Sequence, residues 1–264
     1  MHGLKKYYLG FRLAFINELI HRMNFLFGIL RRVIFSITLV YVFEHIPQGI
    51  GVFSSEQLVA YTLVSYVISS LIHVYCMGGI SEDIVSGDLT NYLVKPIRFL
   101  PYWAARMMAT RIILVVTSIV GFLCVWLVSS IPLSSLFIVA HPFQTLVLCL
   151  GAIVIVQLID FLGGMLAFWT TDEHGLQWLL MTAILFLSGA LIPITVLPQS
   201  VQTALSFTPF PSLVYAPTQM YLGNFDDAAF AHALVIQLAW IFACTIIVVI
   251  AWKRGTRSYE AYGR

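Results

Sequence analysis

Residues 143–169 read FQTLVLCLGAIVIVQLIDFLGGMLAFW, and Asp160 is the only charged residue among them. A helix needs about 20 apolar residues to cross the roughly 30 Å hydrocarbon layer of a bilayer, so this run is long enough to span it. Five further apolar stretches lie near residues 24–44, 57–79, 104–129, 175–193 and 232–252. Such runs lack the alternation of barrel strands, and only helices satisfy their backbone groups in lipid. The sequence predicts an all-α membrane protein with six transmembrane helices in one domain, residues 1–264.

The composition argues against a soluble protein. Hydrophobic residues make up 60% of the chain and charged residues 10%, and the mean hydropathy is +0.92. Soluble domains contain about 45–50% apolar residues. The net charge is only +2, and the basic residues lie at span boundaries instead of forming an exposed stripe, so we expect no nucleic-acid binding.

The basic residues also predict the orientation of the chain. All fourteen Lys and Arg residues lie in the first 32 residues, in residues 95–111 or in the last twelve residues. Residues 46–57, 130–142 and 193–231 contain none. Because positive charge stays on the cytoplasmic side, we expect both termini in the cytoplasm and the spans in the cell (cytoplasmic) membrane.

Two segments outside the spans have distinct patterns. Residues 1–22 carry apolar side chains at helical spacing but too many charges to cross a bilayer, which predicts an interfacial helix on the inner leaflet. A second row of apolar side chains on this helix leaves open that part of the helix packs on neighbouring protein. Residues 194–223 are charge-poor and, with Pro193 just before them, proline-rich. We expect a re-entrant external hairpin of broken half-helices there, with an ordinary external loop as the alternative.

Sites of known chemistry are not evident. No Lys follows a Gly, which excludes the G-x-x-x-x-G-K-[ST] nucleotide-binding motif, and G-x-S-x-G and H-E-x-x-H are absent. The four cysteines form no close pair, so neither a disulfide framework nor a metal site is expected. The chain is not expected to be an enzyme or to hold a cofactor or metal itself.

Charged residues within the spans are candidates for function, because a charge in the bilayer is costly. Asp160 lies within the fourth span; it could line a substrate path, form an ion pair with an Arg of another helix, or relay protons. Arg31 and Arg32 lie in the first span. Snorkelling to the inner head groups accounts for both arginines, and binding of an anionic head group is the alternative.

Residues 81–96, SEDIVSGDLTNYLVKP, resemble the coupling segment of ABC-2 type transporter permeases, in which an acidic pair precedes Gly, then Leu, then a Leu-x-x-Pro end. The matching residues are Glu82, Asp83, Gly87, Asp88, Leu89, Leu93 and Pro96. A second stretch, LSGALIP at 187–193 with Leu197-Pro198 and Thr208-Pro209, is similar to the series that leads into this family's external hairpin. The residues that we assign to this hairpin and gate are Ser188, Gly189, Pro193, Pro198 and Pro209.

The coupling segment also departs from the commoner family pattern. Ser81 and Asp88 replace the frequent Arg and Thr, and Lys95 replaces the small residue before the proline. The segment is closer to that of a subgroup of the family whose substrates are poorly defined, so the resemblance does not identify a substrate for this chain.

The residues support a coupling role independently of the resemblance. Over residues 80–102 we expect a short cytoplasmic helix with Glu82, Asp83 and Asp88 facing a soluble partner, anchored by Leu89 and Leu93. A plain surface loop is the alternative. The acidic loop with Asp172 and Glu173 is either a second contact with that partner or a capped helix start.

The resemblance implies a fold like that of ABC-2 (type V) exporters and the function of a permease subunit. ATP and Mg would bind two separate ABC ATPase subunits, and a second permease, identical or related, would complete a homo- or heterodimer in membrane lipids. The near absence of charge in the spans favours an amphipathic or lipid-like cargo. The alternatives are a self-sufficient secondary transporter and a membrane scaffold or assembly protein.

Overall fold

The structure is a computed structural model, and it describes residues 2–20, 22–45, 53–72, 79–95, 97–127, 139–170 and 173–259. These ranges fold almost wholly into helices. The helices are α1 His2–Ile20, α2 Arg22–Glu44, α3 Ser55–Ile72, α4 Gly79–Val85, α5 Leu89–Leu93, α6 Phe99–Trp126, α7 Pro142–Met165, α8 Glu173–Leu187, α9 Gln199–Ser206, α10 Tyr215–Tyr221 and α11 Asp227–Ser258.

A helix is present at each of the six predicted spans. Within the described part of the chain, four helical stretches are long and apolar enough to cross a membrane: Leu26–Glu44, Phe99–Cys124, Pro142–Phe168 and Asp227–Ser258. The helices at the other two predicted spans, α3 and α8, fall short of this length and hydropathy. Helix α3 has 18 residues and begins with Ser55 and Glu56, whereas α8 has 15 residues, about 22 Å of helix. A multi-pass membrane protein is thus supported, and the count of six spans stays a prediction.

Helix α3 lies in the middle of the bundle. It packs on α2, α6, α7 and α10. Leu58, Leu63 and Ile72 on this helix are fully buried, and Ile72 shares a core cluster with Ile155 of α7 and Leu213 of the hairpin. Helix α11 packs along α7. The core therefore links the spans directly to the segment before the last span.

Helix α1 runs alongside the beginning of α6. A Cβ on Gly10 would lie 2.5 Å from the ring of Tyr102, and Thr110 donates a hydrogen bond of 3.0 Å to the Glu18 carboxylate. Both contacts join residues 92 positions apart, so the two helices point in the same direction. The interfacial location of residues 1–22 stays a prediction, and the structure adds that α1 runs parallel to α6 instead of crossing it.

Prolines divide the segment between α8 and α11 into short helices. Pro193, Pro198 and Pro209 each stand immediately before a helical turn: the 3-10 turn Ile194–Val196, α9, and the 3-10 turn Phe210–Ser212. Proline suits these positions because its fixed φ begins a helix but cannot continue one. Helix α10 then packs on α3 and α7. The broken helices match the sequence analysis, whereas entry into the outer leaflet stays a prediction.

Candidate functional site

The coupling segment consists of two short helices joined by a turn at Gly87. Helix α4 ends at Val85, and Gly87 has a φ of +86°, the left-handed conformation that glycine adopts without strain. The Asp88 carboxylate then accepts hydrogen bonds from Ser86 Oγ and Asn91 Nδ2, both at 3.2 Å. These bonds fix the direction in which α5 begins.

Apolar side chains anchor this segment to the bundle. Ile80, Ile84 and Leu89 are buried in a cluster with the beginning of α6 and the end of α7. Leu89 thus has the expected anchoring position, but Leu93 does not, because 47% of its surface is exposed. The inward position beside it is taken by Tyr92, whose ring centroid lies 5.3 Å from that of Phe99.

Asp83 does not face outward, so the expected orientation is wrong for this residue. Trp103 donates its indole N–H to the Asp83 carboxylate over 3.1 Å, because an indole at a buried position needs an acceptor. The Arg106 guanidinium lies 4.4 Å from the centroid of the Trp103 ring. Burial raises the pKa of Asp83, while the Trp103 hydrogen bond and the Arg106 charge lower it, and burial is the larger effect.

The outward side of the segment is mixed in character. Glu82 and Asp88 are exposed, and so are the apolar side chains of Val85, Leu93 and Val94, the last with 78% of its surface exposed. We call these five residues the coupling face.

An aromatic cluster lies behind the coupling face. It comprises Phe99 and Trp103 of α6, Phe168 after α7, and Trp252 and Tyr259 at the end of α11. Trp252 stacks on Phe99 with a centroid distance of 5.3 Å, and the Phe168 ring lies 5.9 Å from Tyr259. The cluster therefore joins the cytoplasmic ends of three predicted spans.

Helix α4 also contacts α7 almost without intervening side chains. A Cβ on Gly164 would lie 2.9 Å from Cβ of Ile80. Only a residue without a side chain permits this approach. The end of α7 and the beginning of α4 are consequently in close contact.

Some predicted site residues lie outside what the structure describes. Pro96 and Asp172 are outside the described residues, and the side chains of Glu173 and Arg32 are as well. Their assigned roles stay predictions. Among the described residues, no group of His, Cys, Asp and Glu could hold a metal ion.

The turn that leads into the hairpin is fixed by bonds to three successive carbonyls. Tyr61 on α3 donates its hydroxyl to the Gly189 carbonyl over 2.5 Å, and Ser65 donates to the Ala190 carbonyl over 3.2 Å. The Ser188 carbonyl accepts the Tyr215 amide of α10 at 3.0 Å. We call residues 188–190 the hairpin junction. The sequence analysis missed Tyr61 and Ser65, although both are polar side chains within an apolar run.

Asp160 lies beside a cation that the sequence analysis did not select. Its carboxylate oxygens are buried and accept no hydrogen bond from the described residues. Arg111 of α6, with 2% of its surface exposed, attracts this carboxylate electrostatically and donates to Gln157, one turn earlier on α7, over 3.3 Å. The side chain of Arg31 is exposed. The sequence alone could have marked Arg111 as a candidate, because it is a charged residue inside the predicted third span.

Comparison with known proteins places the chain in a family. No curated protein matches it. The family model described as ABC-2 family transporter protein matches residues 29–263, a range that includes the coupling segment, the buried charges and the hairpin. The chain therefore belongs to the ABC-2 family of transporter proteins, and it is a multi-pass transmembrane permease.

Proposed function

We propose that this permease is the membrane subunit of an ABC exporter, driven by ATP hydrolysed on separate ATPase subunits. The coupling face is the observation that carries the proposal. Val85 and Val94 expose most of their surface on a segment that we predict to lie outside the bilayer. Apolar side chains flanked by acids, here Glu82 and Asp88, are typical of a protein interface with a polar rim.

The packing behind the coupling face supports a mechanical role. Force applied to α4 and α5 would reach α7 through the contact between Ile80 and Gly164, and α6 and α11 through the aromatic cluster. Close-packed interiors transmit displacement instead of absorbing it. A surface loop without a partner would need no such connection to three spans.

The remaining parts of the proposal come from the family. Two ATPase subunits that bind ATP and Mg would act on two permeases, identical or related, with both termini in the cytoplasm of the cell membrane. The re-entrant hairpin, entered through Ser188 and Gly189, would be the outer gate. The apolar spans favour an amphipathic or lipid-like cargo over a small ion.

Exchange of one coupling-face charge tests the proposal. Glu82→Lys reverses the charge of an exposed side chain, so the fold should be retained while docking of the ATPase is lost. Glu56→Lys is the matched control, because Glu56 is also exposed but begins α3 on the side that we predict to be external. The ATPase recovered with each affinity-purified chain is the readout. Equal recovery with both variants would remove the assignment of the coupling face.

A second candidate is a self-sufficient secondary transporter, which the buried carboxylate of Asp160 favours. This candidate predicts that Asp160→Asn lowers transport while expression stays normal. It also predicts that no ATPase accompanies the chain. Joint loss of transport and expression would instead indicate that Asp160 and Arg111 stabilise the fold.

A further inference from the structure

Gln237 connects three elements at the predicted external side of the bundle. It lies on α11 with no exposed surface. Its Nε2 amide donates to the Leu148 carbonyl of α7 over 2.9 Å and to the Ser212 carbonyl of the hairpin over 2.8 Å. One side-chain amide thus ties the middle of the hairpin to two spans.

The orientation of this amide follows from its partners. Both partners are carbonyl oxygens, which only accept hydrogen bonds, so the NH2 group must face them and Oε1 must point away. Gly151 makes room for it, because a Cβ at this position would lie 2.9 Å from Cδ of Gln237 and closer still to Oε1. The site is therefore fitted to a primary amide of this length.

Two features show that the contact between Gln237 and the hairpin is neither fully bonded nor fully packed. Oε1 of Gln237 is buried without a hydrogen bond from the described residues, so this arrangement does not use the full bonding capacity of the amide. Next to the bond lies a cavity of about 270 Å³ between the hairpin and the first turns of α11, with Ser212, Pro211 and Ala233 in its wall. The turn that contains Pro211 and Ser212 is thus not close-packed against the first turns of α11.

We infer that Gln237 is the positioning residue that holds the outer hairpin closed, and that the hairpin opens when the bond to Ser212 breaks while the bond to Leu148 persists. The amide has two N–H groups, so it can lose one partner and stay in place on the other. The turn then moves away from α11 while α7 and α11 remain paired. This inference rests on the proposed role of the hairpin as outer gate.

The test measures how often the hairpin opens. Ser212 is 3% exposed, and Ser212→Cys places a thiol there while leaving the main-chain carbonyl that Gln237 bonds. Cys244, 4% exposed on α11, stays as an internal reference, and the other cysteines are replaced. Cell membranes with the full chain are treated with a membrane-impermeant maleimide, and labelling at both thiols is followed by mass spectrometry.

Gln237→Met keeps the length of the side chain and removes both N–H donors. We expect labelling at the 212 thiol to rise roughly two- to tenfold, as the net loss of a hydrogen bond predicts, without change at Cys244. Val248→Ala is the control, since it loosens the packing of a residue 4% exposed on the same helix without touching the hairpin. Labelling at the 212 thiol should not rise in this control.

Two results would overturn the inference. Unchanged labelling at the 212 thiol in Gln237→Met would show that the amide does not hold the hairpin. Equal increases at the 212 thiol and at Cys244 would show that Gln237 stabilises the whole helix instead. Neither readout needs an ATPase, so failure to recover one would contradict the exporter and leave this test unaffected.

Discussion

Gly189 and Gly87 form a natural pair for testing how the hairpin junction is held. Their φ angles are +77° and +86°, so alanine meets the same backbone penalty at both, about 1–2 kcal/mol. Their surroundings differ. A Cβ on Gly87 meets no atom of the described residues within 4 Å, whereas a Cβ on Gly189 would lie 2.9 Å from Cβ of Tyr215 and 3.1 Å from the Tyr61 hydroxyl.

The steric contribution is thus specific to the junction. Overpacking a well-packed site costs about 1–3 kcal/mol, and displacement of Tyr61 from the Gly189 carbonyl adds about 1 kcal/mol. We expect Gly189→Ala to lower the free energy of unfolding by about 3–6 kcal/mol in total. For Gly87→Ala we expect only the backbone penalty.

Thermal unfolding of the detergent-purified variants, followed by circular dichroism, measures this difference. Gly189→Ala should unfold at a clearly lower temperature than Gly87→Ala, and Tyr61→Phe should lower it slightly through loss of one hydrogen bond. If both glycine variants unfold at the same temperature, the reasoning about the junction is refuted.

The other predictions concern charges. Arg111→Met should destabilise the protein by about 3–5 kcal/mol, because it leaves the carboxylate of Asp160 without its counter-charge. Adding Asp160→Asn to this variant should restore most of the unfolding temperature. A double variant as unstable as Arg111→Met alone would refute the pairing. The pKa of Asp83 is raised in the folded state, so its contribution to stability is full below about pH 4 and is lost as the pH rises through the raised pKa. Asp83→Asn should remove this part of the pH dependence while Asn keeps an acceptor for Trp103; an unchanged pH profile of the unfolding temperature would contradict this.

The sequence predicted features that depend on local composition. The apolar run 143–169 became Pro142–Met165 followed by the 3-10 turn Leu166–Phe168, because length and hydropathy alone determine such a helix. The prolines of the hairpin likewise marked the beginnings of its short helices, since proline acts on its own neighbourhood.

Features that depend on distant residues were not predictable in this way. The inward orientation of Asp83 requires the Trp103 indole, 20 residues along the chain. The location of Arg111 beside Asp160 requires that α6 and α7 pack at one particular register. Gln237 is a polar residue in an apolar run, but its two acceptors are main-chain carbonyls, and any residue has those. Tertiary packing therefore decided which of the polar residues meet.

The central claim is that an ATPase docks on the coupling face of this permease. Its most direct test is affinity purification of the full chain in mild detergent, with mass spectrometry of the proteins recovered and an assay of ATP hydrolysis. We predict stoichiometric recovery of an ATPase with Walker motifs, together with ATP turnover, and loss of both in Glu82→Lys. Recovery of the chain alone, without ATP turnover, would contradict the exporter and favour a secondary transporter or a scaffold.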